Sequence, residues 1–359
     1  MGMHPSAVGL FSPVGPTYVD SASYGLPPNS TVQVMQEALT DWQEGTANWI
    51  ADWDPAGDRC RPLAADLLGS GTDQIALLPA VSVGVGVALS ALEDGVEILI
   101  PDDEFASMTL PVVVAAERHR HTVRRVPFDR LAESVSADTA LVLTSHVRSN
   151  DGRVQDLRSV AASAKAVGAR VLVDATHSAG VLPIDTNEIG IDVVVAAAYK
   201  HLLCPRGVAF MGVSRDLLST MSPLVASWRS AREPYSYYYG GDLGVLAPDA
   251  AKFDVSLAWH AWVGAERSLD FLGSVPVTER ASWCVGLADQ LAAQLDVPAT
   301  GSSILTVTVA RPDEARQELA RRRIVTSGKG PNIRISFHLY NEASEADLVA
   351  EALKPFLVR

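Results

Sequence analysis

Two apolar runs in the middle of the chain constrain its fold more than any other feature. Arg170-Val-Leu-Val-Asp174 stops at an aspartate and is followed by Ala-Thr-His177-Ser-Ala-Gly180. Asp192-Val-Val-Val-Ala-Ala-Ala-Tyr199-Lys200 stops at a lysine and is followed by His-Leu-Leu-Cys-Pro-Arg-Gly207. Runs without polar alternation fit strands buried on both faces of a parallel sheet. Ligands bind at the carboxyl ends of such strands. An acid and an amine at two of those ends, 26 residues apart, are therefore expected to share one pocket. The amine is no ordinary surface cation. Of 29 basic residues only five are lysines (165, 200, 252, 329 and 354), so solvated positive charge is carried by arginine.

A lysine in a partly desolvated pocket has a lowered pKa, and its amine can form a Schiff base with an aldehyde. An aspartate facing the ring nitrogen of pyridoxal 5′-phosphate keeps that nitrogen protonated, which makes the ring an electron sink. The segments Val173–Gly180 and Tyr199-Lys200 resemble fold-type I enzymes that use this cofactor, in the aminotransferase class V and cysteine desulfurase branch. The resemblance runs from about Tyr18 to Asn341, with its motifs in order. It implies an α/β fold: a large domain (residues 18–256) with a mostly parallel seven-stranded sheet, after an N-terminal arm (1–17). A small α+β domain (257–359), to which the N-terminal segment can contribute, completes it.

Composition narrows the partners. A formal charge of −13 and a pI near 5.0 disfavour nucleic acid and anionic membranes. The local basic cluster Arg118-His-Arg-His121 with Arg124 and Arg125 has no interleaved aromatics and reads as a solvated loop entering a strand. Three widely spaced cysteines (60, 204, 284) offer neither a disulfide framework nor metal-ligand spacing. With no signal-peptide pattern and no apolar run of spanning length, the expectation is a cytoplasmic enzyme with no metal.

In chain order, Tyr18-Val-Asp-Ser-Ala-Ser-Tyr24-Gly-Leu-Pro-Pro28 resembles the family's opening strand and turn, which makes Tyr24 a candidate substrate contact. Residues 30–44 and 58–68 have helical periodicity. Ile75–Leu78 is a strand, and Pro79-Ala-Val81-Ser82-Val83-Gly-Val-Gly86 is a turn into a helix, suited to a phosphate. By resemblance the Ser82 hydroxyl and the amides of Val81 and Val83 hold the phosphate of the cofactor. After the strand Glu97–Ile100, Phe105 resembles the kynureninase-like ring that stacks on the pyridine; a desulfurase-like alignment puts Ala106 there instead. In the segment Ser145-His146-Val-Arg-Ser149-Asn150 the family places a polar side chain near the substrate carboxylate, Ser149 or Asn150. His146 reads as structural.

His177 matches the family position that bonds near the cofactor's phenolic oxygen and is suited to moving protons; Tyr199 matches a phosphate contact. Trp228 and the aromatic loop Tyr235–Asp242 stand where the family's dimers build part of the site. Lys252-Phe-Asp254-Val-Ser256 resembles the segment by which a partner subunit reaches the phosphate, with Ser256 as the substitute hydroxyl. Arg334, in Asn332-Ile-Arg-Ile-Ser-Phe-His-Leu-Tyr340-Asn341, matches the arginine that pairs with the substrate α-carboxylate. The resemblance thus implies a homodimer with shared sites. Chemistry is assigned to Lys200, Asp174 and His177.

The persulfide-forming desulfurases of the family carry a cysteine shortly before that last motif. Here Ser327-Gly-Lys-Gly-Pro stands there, and no cysteine follows Cys284. That disfavours a persulfide-forming desulfurase, and Cys204-Pro-Arg-Gly-Val-Ala-Phe210 loosely resembles C–S lyases of the ergothioneine type; the resemblance implies α,β-elimination of the C–S lyase type on a cysteine-derived amino acid. The alternative is a class V aminotransferase; a persulfide-forming desulfurase, an epimerase and a non-catalytic scaffold rank lower.

Overall fold

A computed structural model describes residues 2–12, 15–236, 238–239 and 245–358. The strands are β1 (Thr17–Tyr18), β2 (Ile75–Leu78), β3 (Glu97–Pro101), β4 (Thr122–Val126), β5 (Thr139–Ser145), β6 (Arg170–Asp174), β7 (Val193–Ala197), β8 (Ala209–Val213), β9 (Ile304–Thr308), β10 (Ile324–Val325) and β11 (Asn332–Ser336). Seven of them form one sheet in the order β2-β8-β7-β6-β5-β3-β4. It is parallel except for β8, which runs antiparallel to both neighbours. The fold is the expected fold-type I α/β architecture. The apolar runs explain its centre: β2, β7 and β8 are buried at every residue, so helices must cover both faces.

The strands β8 and β10 escaped the sequence reading, whereas the strand expected after the basic cluster is β4. β8 follows the lysine too closely for a crossover and turns straight back as a hairpin-like partner of β7. β4 lies at the sheet edge, where its arginines reach outward; Arg124 pairs with Glu97 at 2.9 Å. The basic cluster is thus a helix end and a charged edge strand, a common defence of unpaired edges.

The arm 1–17 is not an extended tail. It holds a short 3-10 turn (Pro5–Ala7), and Phe11 packs edge-on against Phe271 at 5.4 Å. Its end, β1, pairs in parallel with β10, and Asp20 bridges Ser336 next to β11, which is antiparallel to β9. Val19 is buried with apolar residues of β9, β11 and the helices Val277–Leu295 and Ala343–Leu353. The N-terminal strand therefore packs with the C-terminal strands, in a two-stranded sheet with β10, and delivers Asp20 and Ser23 beside Arg334.

Two glycines set close approaches. A Cβ on Gly84, in the helix Val81–Leu89, would come within 2.9 Å of Val195 Cγ1, so glycine lets that helix lie directly on β7. A Cβ on Gly25 would lie 2.1 Å from the Lys200 carbonyl oxygen. Gly25 N–H donates to the Tyr199 carbonyl (2.9 Å), so the N-terminal turn is pressed onto the lysine loop.

Candidate active site

The carboxyl ends of the sheet bring Asp174 and Lys200 together, as their strand-end positions require. β5 and β6 are in register at Ser145 and Asp174, and Asp174 pairs across to Val195 of β7. Lys200 lies three residues past β7, in the turn held by Gly25. Both side chains are 6% exposed. They open onto a cavity of about 210 Å³ that is also lined by Val81, Ser82, Phe105, Ser149, His177, Tyr199 and Arg206.

Burial pulls the Lys200 amine down from its ordinary value to about 8, with Asp174 opposing. Lys200 Nζ lies 3.2 Å from His177 Nε2, which is also 3.3 Å from Ser149 Oγ. Burial holds the His177 imidazole well below its usual pKa, so it is neutral, and its buried Nδ1 has no partner among the described residues. Burial likewise raises Asp174, against the pull of Thr176 and Lys200. Oδ1 of Asp174 accepts the Thr176 amide at 2.8 Å; no hydrogen bond reaches the other oxygen among the described residues. A carboxylate in this state lacks a cationic or hydrogen-bonding partner in front of it, which a protonated ring nitrogen would supply.

The remaining expectations divide. Ser82 and Val81 line the cavity at the first turn of the helix Val81–Leu89, whose N-cap Ala80 provides no side-chain bond to the free amides. Val83 is a correction: its amide already donates to the Ala80 carbonyl (3.2 Å), and its side chain packs among apolar residues under the sheet. Phe105 lies with its ring centroid 5.2 Å from Lys200 Nζ, and Tyr199 with its own at 5.9 Å. Phe105 is therefore the aromatic residue over the cavity, and Ala106 begins the next helix.

Of Ser149 and Asn150, Ser149 is the one that touches Arg334. Its carbonyl accepts Arg334 Nη1 at 2.8 Å, whereas Asn150 turns outward and donates to Asp103 (2.8 Å). Arg334 also donates from Nε to Ser327 Oγ and from Nη2 to Ser23 Oγ, both at 3.1 Å, and Asp20 lies 3.8 Å away. These partners are mostly neutral, so the guanidinium keeps charge for a carboxylate.

Trp228 lies outside the cavity of its own chain. It packs with Trp49, Tyr235 and Tyr238 in an aromatic cluster that does not line the cavity. Ser256 is exposed and also outside it. The motif's acid, Asp254, is structural: it accepts the Leu77 amide (2.8 Å) and pairs with Arg61 (2.6 Å). Tyr24 borders an adjoining cavity instead. Tyr237 and residues 240–244 of the aromatic loop lie outside the described residues. His146 and Cys204 are buried and do not line the lysine cavity, although Cys204 borders the adjoining one.

Sequence reading missed three residues of the site. Thr176 Oγ1 accepts the Ala197 amide (2.9 Å) and ties the two site strands together. Glu104 accepts Ser145 N (2.7 Å), Ser145 Oγ (2.6 Å) and Phe105 N (2.8 Å), which holds the aromatic turn against β5. Arg206 is the third.

A mostly parallel sheet with a depressed lysine and a buried aspartate at its carboxyl ends defines a fold-type I enzyme dependent on pyridoxal 5′-phosphate. Residues 17–349 match the model of the Aminotransferase class-V family, and the chain belongs to that family. One relative is an uncharacterized aminotransferase, YcbU, of Bacillus subtilis, 26% identical over 340 residues, covering 88% of this chain and 89% of that protein. A kynureninase of Deinococcus radiodurans is 28% identical over 272 residues, 72% of this chain and 66% of that one. Among solved structures, the cystine C–S lyase C-DES in complex with cysteine persulfide has the same fold. It aligns with a TM-score of 0.86 at 23% identity, covering 96% of this chain and 99% of that chain.

The lowered amine has a measurable consequence. Only the neutral amine attacks an aldehyde. With a pKa of about 8 half of it is neutral at pH 8, where an ordinary lysine would be about 0.3% neutral. The rate of cofactor attachment to apoprotein, followed by absorbance, is expected to rise with pH to half its plateau near pH 8. A half-rise near pH 10.5 would contradict the buried setting.

Proposed function

We propose that this enzyme catalyses α,β-elimination on a cysteine-derived amino acid. The bond between Cβ and sulfur breaks: RS–CH2–CH(NH3⁺)–COO⁻ and water give RSH, pyruvate and ammonium. One observation carries this reading. Cys60, Cys204 and Cys284 are all buried, and none lines the cofactor cavity; Cys204 borders the adjoining cavity, with its thiol turned to the Leu202 (3.2 Å) and Ala265 (3.9 Å) carbonyls. Burial raises all three thiols, so none is a ready nucleophile. Without a thiol to take sulfur from the substrate, sulfur leaves with its own substituent. Ser327, in the region where desulfurases of the family carry their cysteine, is held by Asp20 (2.7 Å) and Arg334.

In this reading Arg334 binds the substrate α-carboxylate, which orients the bonds at Cα. Lys200 anchors the cofactor and then takes the α-proton; neutral His177 beside it keeps that amine hydrogen-bonded without adding charge. Asp174 would hold the ring nitrogen, Phe105 would pack on the ring, and Ser82 with the Val81 amide, joined by Tyr199, would hold the phosphate. Bound pyridoxal 5′-phosphate supplies the electron sink for charge developing at Cα. The large domain (18–256) carries this machinery, and the small one (257–359) carries Arg334.

A homodimer completes the picture. Leu110, Val113 and Val114 on the helix Ala106–His119, with Leu224 and Val225, are 54–64% exposed beside the cavity. An apolar patch of this size in water favours association, and a second copy would bury it next to the site. Ser256 then serves the partner's phosphate. Three free cysteines fit a reducing cytoplasm. No described helix is long and apolar enough to cross a membrane.

The second reading is a class-V aminotransferase, favoured by the likeness to YcbU. It uses the same groups but passes the amino group to a keto acid. Incubation of the holoenzyme with a panel of amino acids separates the two. Pyruvate and thiol in equal amounts, over many turnovers and without added keto acid, are expected. One equivalent of keto acid per site, with further turnover only when a second keto acid is added, would establish the aminotransferase instead.

A further inference from the structure

A second cavity, of about 440 Å³, adjoins the cofactor cavity and shares Tyr199 and Arg206 with it. Its walls are largely apolar, with Tyr24, Pro27, Met35, Pro205 and the buried Cys204. Ser23 also lines it, and the Ser23 hydroxyl accepts Arg334 Nη2 at 3.1 Å. The chamber therefore touches the carboxylate anchor on one side and the lysine turn on the other. A substrate held at Arg334 and Lys200 has this space open to the substituent on its β-carbon.

Arg206 is the only charged residue among those lining the chamber. Its exposed guanidinium makes no hydrogen bond and meets no carboxylate among the described residues. Arg334, by contrast, is engaged with Ser149, Ser327 and Ser23. In a chain with 42 acidic residues, an arginine left unpaired at the mouth of an apolar chamber needs a reason. It is also held in place. The guanidinium carbon lies 5.0 Å over the Tyr199 ring, whose centre is 5.9 Å from Lys200 Nζ. Stacking engages the flat face and leaves the N–H edge free for an anion. The loop before it is fixed, with the Cys204 amide bonded to the Ala198 carbonyl (3.0 Å).

We propose that Arg206 is a specificity-determining residue that pairs with an anionic group at the far end of the substrate's β-substituent. The preferred substrates are then cysteine S-conjugates with a short apolar stem ending in a carboxylate or sulfonate. The sulfur in that description rests on the elimination reading; the pairing with Arg206 does not.

The test compares S-carboxymethyl-cysteine with the neutral S-ethyl-cysteine on the holoenzyme. The readout is the concentration that half-saturates the change in cofactor absorption, which requires binding but not elimination. The wild-type protein is expected to prefer the carboxymethyl compound by roughly tenfold to a hundredfold, as a charge-assisted bidentate bond provides. Arg206→Gln is expected to erase the preference without changing cofactor affinity, and Arg206→Lys to restore part of it. No preference in the wild type would overturn the proposal, as would a preference that survives in Arg206→Gln. A loss of cofactor affinity in that variant would also overturn it, because Arg206 would then serve the phosphate. Pyruvate is measured in the same samples. Intact preference without pyruvate would sink the elimination reading alone.

Discussion

Lys200→Ala is expected to lower turnover by at least about 10⁴-fold, because it removes the covalent anchor and the base together. The cofactor can still bind through the helix Val81–Leu89 and Asp174, so the protein should retain it loosely. The absorption of bound cofactor should then no longer be fixed by borohydride, and added methylamine should recover a small part of the activity. The residue is 6% exposed and its amine makes one hydrogen bond among the described residues, to His177 at 3.2 Å, so its loss leaves little unpaired. Full turnover in the variant, or borohydride fixation at another residue, would remove the basis of the enzymatic assignment.

Asp174→Asn should cost about 10³-fold in kcat with little change in KM, since a neutral amide cannot hold the ring nitrogen protonated. The same variant separates chemistry from architecture. Burial raises the Asp174 pKa above its unfolded value, so its charge opposes folding above the folded pKa. That penalty vanishes only below the unfolded value, near 3.8. At pH 7 the apo variant should thus be no less stable than the wild type, as thermal unfolding in the absence of cofactor would show. A large drop in apo Tm with kcat preserved would make Asp174 a structural residue.

The residues most legible from sequence were those whose chemistry conflicts with their neighbourhood. A lysine and an aspartate closing runs of Val and Ala have no role in packing, so their placement at strand ends could be read directly. Arg334 could be read for the same reason, being a charge inside an apolar strand. Residues whose role depends on which way a side chain turns could not. Ser149 and Asn150 are adjacent and equally polar, and only the pairing of Asn150 with Asp103 turns it away from Arg334. Trp228 had the composition of a site residue, yet the aromatic rings of Trp49 and Tyr238 claim it. Glu104 and Arg206 carry no local pattern, since their partners are 41 residues away in one case and, as proposed, a ligand in the other.

What the linear chain determined by itself was the sheet and the acid–amine pair, because burial on two faces and alternation of apolar runs are local properties. Tertiary structure alone decided how the site is closed. The strand Thr17–Tyr18 crosses to β10 and brings Asp20 and Ser23 to Arg334, while Gly25 seats the N-terminal turn against the lysine's carbonyl. Those contacts join segments up to about 310 residues apart, and no periodicity or propensity encodes a distance of that kind.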